Sequence, residues 1–319
     1  MRSSNIGGQA VMEGVMMKNA DKYAVAVRKT DGEIIVKTED YKSIIRNKKI
    51  LSLPILRGVF NFIDSLVLGM GTLTYSASFF MEDEEEEKKE TDNKKESLTM
   101  GLTVAFSIVM AVAVFMLLPY FLSQLFHRFT DSVTLITLLE GAVRLFIFFG
   151  YILLISRMKD IQRVFMYHGA EHKCINCIEH GMELNVENVL KSSRLHKRCG
   201  TSFLFIVMII SIIFFLFIRI ESPIWRVIVR LLLIPVIAGV SYEFIRLAGR
   251  SDNKLVVLLS KPGMCLQKLT TREPDASMAE VAIASVEAVF DWKAYLRENF
   301  GWQGSSNAKQ ESAEDAQAV

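Results

Sequence analysis

The histidine and cysteine residues of this 319-residue chain are concentrated in one short segment. The chain has 5 His and 4 Cys, and seven of these nine residues lie between His168 and Cys199. An even distribution would place about one of them there. Imidazole and thiolate groups are the ligands that Zn²⁺ prefers in proteins. The segment is therefore the strongest candidate for a metal centre.

The segment opens with His168-x-x-Glu171-His172, which has the H-x-x-E-H form of the inverted zinc hydrolases. Side chains four residues apart share one face of a helix, so both imidazoles can bind the same ion. Glu171 lies next to them and is the candidate general base. At about 100° per residue, Glu179 lies only about 20° around the helix from His168, which makes it a further candidate ligand.

A second arrangement of the same residues is a closed structural zinc site. Cys174-x-x-Cys177 and His196-x-x-Cys199 together supply four ligands at a plausible spacing. That site requires the chain to leave the helix near Cys174, and the first helix-breaking residue is Gly181. We therefore favour one helix that continues from a preceding membrane span up to that glycine, with His196 or Cys199 folding back to complete the site.

The elements that must position these residues are mainly apolar helices. The composition is 51% hydrophobic with a mean hydropathy of +0.29, which is high for a soluble protein. Long runs almost without charge predict four transmembrane helices in two hairpins: Met100–Phe126, Val133–Ile155, Thr201–Ile218 and Trp225–Leu247. The predicted fold class is therefore a mainly α, integral membrane protein with a small N-terminal β element and cytoplasmic helices.

Charged residues inside the predicted spans form a second candidate site. Glu140 and Arg144 stand four residues apart on the second span, where an ion pair would neutralise both. Arg230 and Glu243 on the fourth span are candidate partners across helices, and Pro235 predicts a kink between them. These residues indicate either a polar cavity or a structural ion pair.

The distribution of basic residues predicts the orientation in the membrane. Segments 1–99, 156–200 and 249–319 carry 15, 8 and 8 Lys and Arg, or 31 of the 37 in the chain. Basic loops stay on the cytoplasmic side, so we expect both termini and the central loop to be cytoplasmic, in a bacterial plasma membrane. The expected partners are the lipid bilayer and other membrane proteins. Nucleic acid is not expected, because the net charge is only +2.

The soluble segments are less informative. Tyr23–Lys29 and Glu33–Lys37 flank Asp31-Gly32, which predicts a β-hairpin. The predicted organisation is a cytoplasmic N-terminal segment (1–50), an amphipathic interfacial helix (51–81), a charged linker (82–99), the first transmembrane hairpin (100–155), the His/Cys loop (156–200), the second hairpin (201–248), a helical C-terminal segment (249–303) and a disordered tail (304–319).

Four blocks of sequence resemble the YqhQ-like family of bacterial multi-pass membrane proteins, which are predicted metal-dependent enzymes. The blocks are Gly7–Met17, Tyr167–Lys173, His196–Phe203 and Leu266–Pro274. The resemblance implies that His168, Glu171, His172, His196 and Cys199 belong to the family pattern, and Cys174 and Cys177 less firmly. The glycine-rich first block would fold against the central loop and bring Gln9 or Glu13 near the metal.

The leading hypothesis is a zinc-dependent hydrolase that acts on a peptide or a lipid at the cytoplasmic membrane surface. His168 and His172 would bind zinc, Cys199 or His196 would complete the site, and Glu171 would accept a proton from water. The alternative is a non-catalytic membrane assembly or scaffold protein in which a structural zinc ion holds the loop.

Overall fold

The computed structural model describes residues 2–45, 53–80, 93–218, 220, 222–249 and 253–304. The protein is mainly helical with a small four-stranded sheet at the N-terminus, which confirms the predicted fold class. It divides into two compact units. The sheet unit comprises Met1–Lys42, Arg163–His196 and Thr271–Val319, and the helix unit comprises Ser43–Gln162 and Lys197–Thr270.

The sheet is an antiparallel meander in the order β1-β2-β3-β4. Its strands are β1 (Gly7–Val11), β2 (Gly14–Asn19), β3 (Lys22–Arg28) and β4 (Ile34–Asp40). The predicted hairpin corresponds to β3 and β4, and Gly32 adopts φ +90° in its turn. Glycine is depleted in strands, and glycines lie at the ends of this short segment and within it. The strands β1 and β2 were therefore not predicted.

The helices follow the sheet. In chain order they are α1 (Leu56–Ser78), α2 (Asn93–Val112), α3 (Leu118–Ser123), α4 (Val133–Ile155), α5 (Lys159–Glu179), α6 (Val186–Lys191), α7 (Gly200–Phe217), α8 (Pro223–Leu232), α9 (Ile234–Ala248), α10 (Lys254–Thr270), α11 (Ala276–Glu287) and α12 (Trp292–Phe300).

The sheet unit is built around one apolar core. α11 packs on β2 and β3, and its N-terminus is capped by Asp275, which accepts a hydrogen bond from the Met278 backbone N–H. The core also includes the C-terminal half of α5, where nearly every side chain from Tyr167 to Glu179 is buried. A helix buried on all sides holds its side chains in fixed positions.

Three helical segments of the helix unit are long and apolar enough to cross a membrane: Gly101–Arg128, Val133–Ile155 and Gly200–Phe217. α8 and α9 together form a fourth, bent by 42°. The bend falls at Leu233, where Pro235 in the first turn of α9 lacks the N–H that would continue the helix. These apolar helices are compatible with the predicted membrane protein. α1 does not meet the same criterion.

The structure differs from the predicted helix boundaries in two places. The first candidate span contains a π-helical segment at Ala113–Leu117 and a 3₁₀ segment at Gln124–Arg128. The second difference concerns the segment that carries the histidines: α4 ends at Ile155, and α5 begins separately at Lys159. Arg157 and Met158 donate to carbonyls three residues back, and such tightened turns end a helix.

Two predicted segments fall largely outside the described residues. These are the charged linker, of which residues 82–92 are not described, and the tail after Gly304. α2 begins at Asn93, inside the segment predicted to be linker.

Candidate metal centre

α5 carries the histidine motif and is held tightly in the sheet unit. Gly169 lies against the backbone, since a Cβ added there would be 2.0 Å from the Arg272 carbonyl oxygen. The helix ends before Gly181, which adopts φ +80° as expected of a glycine after a helix C-terminus. The backbone of α5 is therefore fixed on both sides of the motif.

His168 and His172 lie on the same face of α5. Their ring centroids are 4.5 Å apart, and each offers a ring nitrogen within 4.8 Å of that of the other. His172 is only 2% exposed, whereas His168 is half-buried. The i, i+4 spacing thus produces the side-by-side imidazoles that the motif predicts.

The hydrogen bond of His172 defines which nitrogen can bind a metal. Its Nδ1 lies 2.7 Å from the backbone oxygen of Arg194. A carbonyl oxygen only accepts hydrogen bonds, so Nδ1 carries the proton and donates. Nε2 is therefore the nitrogen that can bind a metal when the ring is neutral, and backbone carbonyls orient metal-binding histidines in proteins in this way.

Glu171 places a carboxylate opposite that nitrogen. Its Oε2 lies 3.5 Å from the Nε2 of His172, and both side chains are more than nine-tenths buried. An unprotonated nitrogen and a carboxylate repel at this distance unless a proton or a cation lies between them. A cation bound to Nε2 would therefore lie close to the carboxylate of Glu171, where a general base could reach its water.

His196 contributes a third imidazole to the same unit. Its ring centroid lies 5.8 Å from that of His172, and its Nε2 lies 3.3 Å from Oε2 of Glu179. A proton on Nε2 would be shared with that carboxylate. Carboxylates orient metal-binding histidines in this way.

Glu179 is fully buried and also holds the N-terminal segment. Its Oε1 accepts hydrogen bonds from the backbone N–H of Ser4 at 2.8 Å and from the Ser4 hydroxyl at 2.9 Å. Sequence reasoning proposed Glu179 as a ligand on the His168 face of the helix. The structure gives it contacts with His196 and Ser4, and this arrangement suits a residue that positions an imidazole.

The two cysteines of α5 lie in the apolar core of the sheet unit. Burial raises the pKa of the Cys174 thiol well above its usual value, and it raises the pKa of Cys177 to about 11. Cys177 also lies 3.4 Å from the Glu183 backbone oxygen, where its S–H can donate. Metal ligation needs a thiolate, so these surroundings favour two neutral core thiols.

Cys199 lies in the helix unit, at the N-terminus of α7. Its Sγ accepts from the Thr201 backbone N–H at 3.4 Å, and the side chain is 3% exposed. It follows His196 by three residues, so the chain itself keeps the two Cα atoms within about 11 Å.

The glycine-rich N-terminal block contacts the motif helix within the sheet unit. A Cβ on Gly8 would lie 3.1 Å from Cγ of Glu171. Glu13 forms an ion pair with Arg163, and its carboxylate lies 3.3 Å from the Tyr167 hydroxyl. β1 therefore covers the side chain of Glu171, and Glu13 anchors the start of the motif.

Two contributions to the cluster were missed from the sequence. The carbonyl of Arg194 and the N–H of Ser4 are backbone groups, which carry no signature in a sequence. The sequence around Ser4 does not distinguish it from other serines either. The length of the 181–195 connection, by contrast, indicates that the chain can return to α5.

Three of the four predicted intramembrane residues, Glu140, Arg144 and Arg230, lie together in the helix unit. Arg144 donates to Glu140 at 2.9 Å and to the hydroxyl of Ser211 at 2.7 Å. Arg230 donates to the same Glu140 oxygen at 2.7 Å. Glu243 forms an ion pair with Arg57 of α1 instead. Glu140 is thus shared by two arginines from different helices.

Taken together, the fold and the site define a class: a mainly helical protein with apolar helices compatible with a membrane and a buried cluster of imidazoles and carboxylates. Residues 53–292 match the family described as "Protein of unknown function (DUF1385)". The chain is 38% identical over 301 residues to "Uncharacterized protein YqhQ" of Bacillus subtilis (strain 168), covering 92% of this chain and 94% of that protein. The chain therefore belongs to the DUF1385 family, as the YqhQ-like sequence blocks predicted. No solved structure matches it significantly.

Proposed function

We propose that this protein is a zinc-dependent membrane hydrolase whose metal ligands are His168, His172 and His196. The observation that carries the proposal is the fixed orientation of His172. Its Nδ1–H donates a hydrogen bond to the Arg194 carbonyl oxygen, and its Nε2 lies 3.5 Å from the carboxylate of Glu171. A buried lone pair opposite a buried carboxylate is stabilised by a cation.

Cys199 is the alternative to His196 as the third ligand, on the ground of the sequence. It follows His196 by three residues, and a thiolate with imidazoles is a common zinc ligand set. We assign Cys174 and Cys177 to the core rather than to zinc, because both lie in the apolar core of the sheet unit, where burial raises the pKa of each thiol.

The residues have separate tasks in the proposed reaction. Zinc supplies Lewis acidity, which lowers the pKa of water towards about 7. Glu171 accepts the proton of the attacking water on its carboxylate and passes it to the leaving group. Glu179 keeps the ring of His196 in place, and the Arg194 carbonyl does the same for His172. The half-buried His168 marks the side from which a substrate enters.

The predicted setting is a bacterial plasma membrane with both termini in the cytoplasm, from the distribution of Lys and Arg. The candidate centre is carried by α5, which follows one apolar helix, and by the connection that precedes the next. A peptide or a lipid presented at the membrane surface is therefore the proposed substrate.

One observation favours a structural role for the metal instead. His172, Glu171, His196 and Glu179 are all at most 4% exposed, and structural zinc sites are closed whereas catalytic ones keep an open position. In that case the protein is an assembly or scaffold factor in which zinc holds the 181–195 connection against α5.

Zinc content tests the shared part of both functions. We expect about one zinc per chain in the full-length protein purified without chelator, and loss of most of it in His172→Ala. His180→Ala is the matched control, because His180 directly follows the end of α5 and is exposed. Zinc-free wild-type protein, or equal zinc in His172→Ala, would reject the metal site.

Glu171→Gln separates the hydrolase from the scaffold. A cell carrying this variant is compared with wild type and His172→Ala by mass spectrometry of membrane lipids and peptides. If the protein is a hydrolase, Glu171→Gln keeps its zinc and accumulates the same uncleaved species as His172→Ala. If Glu171→Gln has a wild-type profile while His172→Ala does not, the metal is structural and the hydrolase is wrong.

A further inference from the structure

The helix unit contains a charged cluster whose charges do not cancel. Glu140, Arg144 and Arg230 are each at most 5% exposed. One carboxylate oxygen of Glu140 accepts from both arginines, so two guanidinium groups share a single negative charge. Within the part of the chain that the structure describes, no further acidic side chain pairs with them.

Aromatic rings compensate part of this excess. The guanidinium carbon of Arg230 lies 4.6 Å from the ring centroid of Phe215 and 5.2 Å from that of Tyr120. Arg144 lies 5.1 Å from the same Phe215 ring. Cation–π contacts of this kind stabilise a buried cation weakly, and the cost of burying an ion is larger. The cluster of Glu140, Arg144 and Arg230 therefore keeps one positive charge that no carboxylate balances among the residues that the structure describes.

Arg144 has an unused donor beside Glu140. Its Nη2 donates to Glu140 and its Nη1 to Ser211. Its buried Nε, on the same edge of the guanidinium as Nη2, has no hydrogen-bond partner among the residues that the structure describes. An unsatisfied buried donor of a charged group is costly, and a ligand oxygen could accept from it.

A cavity of about 290 Å³ lies against this arginine. Arg144 and Ser211 are the polar side chains of its lining, and the rest is apolar, including Phe62, Phe115 and Phe215. The lining comes from the candidate spans and from α1. Leu204 belongs to it and is 45% exposed, so the cavity reaches the surface of an apolar helix.

We propose that this cavity binds a single-chain anionic amphiphile, with its carboxylate or phosphate on Arg144 and Ser211 and its acyl chain in the apolar part. The anionic head supplies the missing negative charge and accepts from the free Nε. The volume is at the lower end of ligand pockets, which begin at roughly 300 Å³, so one chain fits better than the two chains of a phospholipid. An inorganic anion alone would leave the apolar lining empty.

Binding of matched twelve-carbon probes tests the proposal. The full-length protein is placed in phosphatidylcholine nanodiscs, and saturable binding of radiolabelled laurate is measured above that of protein-free nanodiscs. We expect about one laurate per chain, and displacement by dodecyl phosphate if the site accepts either head group. Dodecanol should displace laurate at least tenfold less well, because it lacks the charge.

Variants separate the charged contact from the cavity. Arg144→Gln should weaken laurate binding at least tenfold, and Lys268→Gln, which removes an exposed charge from the same unit, should not change it. Ala111→Phe fills the cavity without touching the charges, so it keeps the test valid if Arg144→Gln fails to fold. Equal displacement by dodecanol, or wild-type binding in Ala111→Phe, would overturn the proposal. If only one of the two anions, laurate or dodecyl phosphate, binds, that anion identifies the head group, carboxylate or phosphate, that the site accepts.

Discussion

Both units bury carboxylates, and they neutralise them in opposite ways. In the sheet unit, Glu179 accepts from the neutral donors of Ser4 and lies against His196, while Glu171 faces Nε2 of His172. In the helix unit, one carboxylate serves two arginines. The first arrangement consists of carboxylates and imidazoles, which are ligands for a metal cation, whereas the second has two cations for one anion. The two units therefore suit ligands of opposite charge.

The largest effect is expected where a buried charge loses its partner. Glu140→Gln leaves Arg144 and Arg230 without a counter-charge, and breaking a buried ion pair from one side costs about 3–5 kcal/mol. We expect the free energy of unfolding, measured by chemical denaturation in one detergent, to fall by about that amount.

The double variant Glu140→Gln/Arg230→Met is the matched control. It removes one cation together with the carboxylate, so it should be more stable than Glu140→Gln alone. If both variants were equally unstable, the excess of positive charge would not be what Glu140 compensates, and the contrast between the units would fail.

A smaller loss is expected from Glu179→Gln in the sheet unit. The amide oxygen still accepts from Ser4, so only the difference between a charged and a neutral acceptor is lost, about 1 kcal/mol for each hydrogen bond. The variant should also reduce zinc affinity by about 10- to 100-fold, because a carboxylate that orients a ligating histidine is replaced.

Zinc affinity and stability are read separately for this variant, by chelator competition and by denaturation of the metal-free protein. Ser4→Ala provides the comparison, since it removes one hydrogen bond of Glu179 without touching His196. Unchanged zinc affinity in Glu179→Gln would show that Glu179 does not position a zinc ligand.

The sequence predicted what depends on periodicity and composition. The apolar runs located the candidate spans to within a few residues at most ends, and Val133–Ile155 agrees at both. The stop before Gly181 follows from the local backbone preference of glycine. The helix motif likewise placed His168 beside His172, since i, i+4 contacts need no knowledge of the rest of the fold.

What the sequence did not predict depends on contacts distant in the chain or on backbone groups. The separation of α4 from α5 rests on two backbone hydrogen bonds between residues three apart. The proton on Nδ1 of His172 is identified by the carbonyl of Arg194. The pairing of Ser4 with Glu179 spans 175 residues. Periodicity along one helix identifies a shared face, but it cannot identify what lies opposite that face.

Gly8→Ala tests whether β1 positions Glu171. The added methyl group would lie 2.4 Å from the Met16 carbonyl oxygen and 3.1 Å from Glu171, and overpacking of this kind costs about 1–3 kcal/mol. We expect the free energy of unfolding to fall by that amount, and the cells to accumulate the same uncleaved species as Glu171→Gln. Gly7→Ala is the matched control, because no atom lies within 4 Å of its added Cβ, and it should behave as wild type. A wild-type profile of lipids and peptides in a folded Gly8→Ala protein would show that β1 does not position Glu171.

The smallest effect concerns reactivity rather than stability, and it tests whether the cysteines of α5 belong to the core. At pH 8 a thiol whose pKa is about 11, such as that of Cys177, is ionised in about one molecule in a thousand. Cys174 is fully buried, and burial raises its pKa well above its usual value too. Cys265 is exposed and should react with a maleimide first. We expect peptide mapping of the folded protein to find Cys265 labelled, with Cys174 and Cys177 labelled only after denaturation.

If zinc removal by a chelator made these two cysteines reactive while the fold persisted, they would be ligands, and the closed four-ligand site would replace the three-histidine centre.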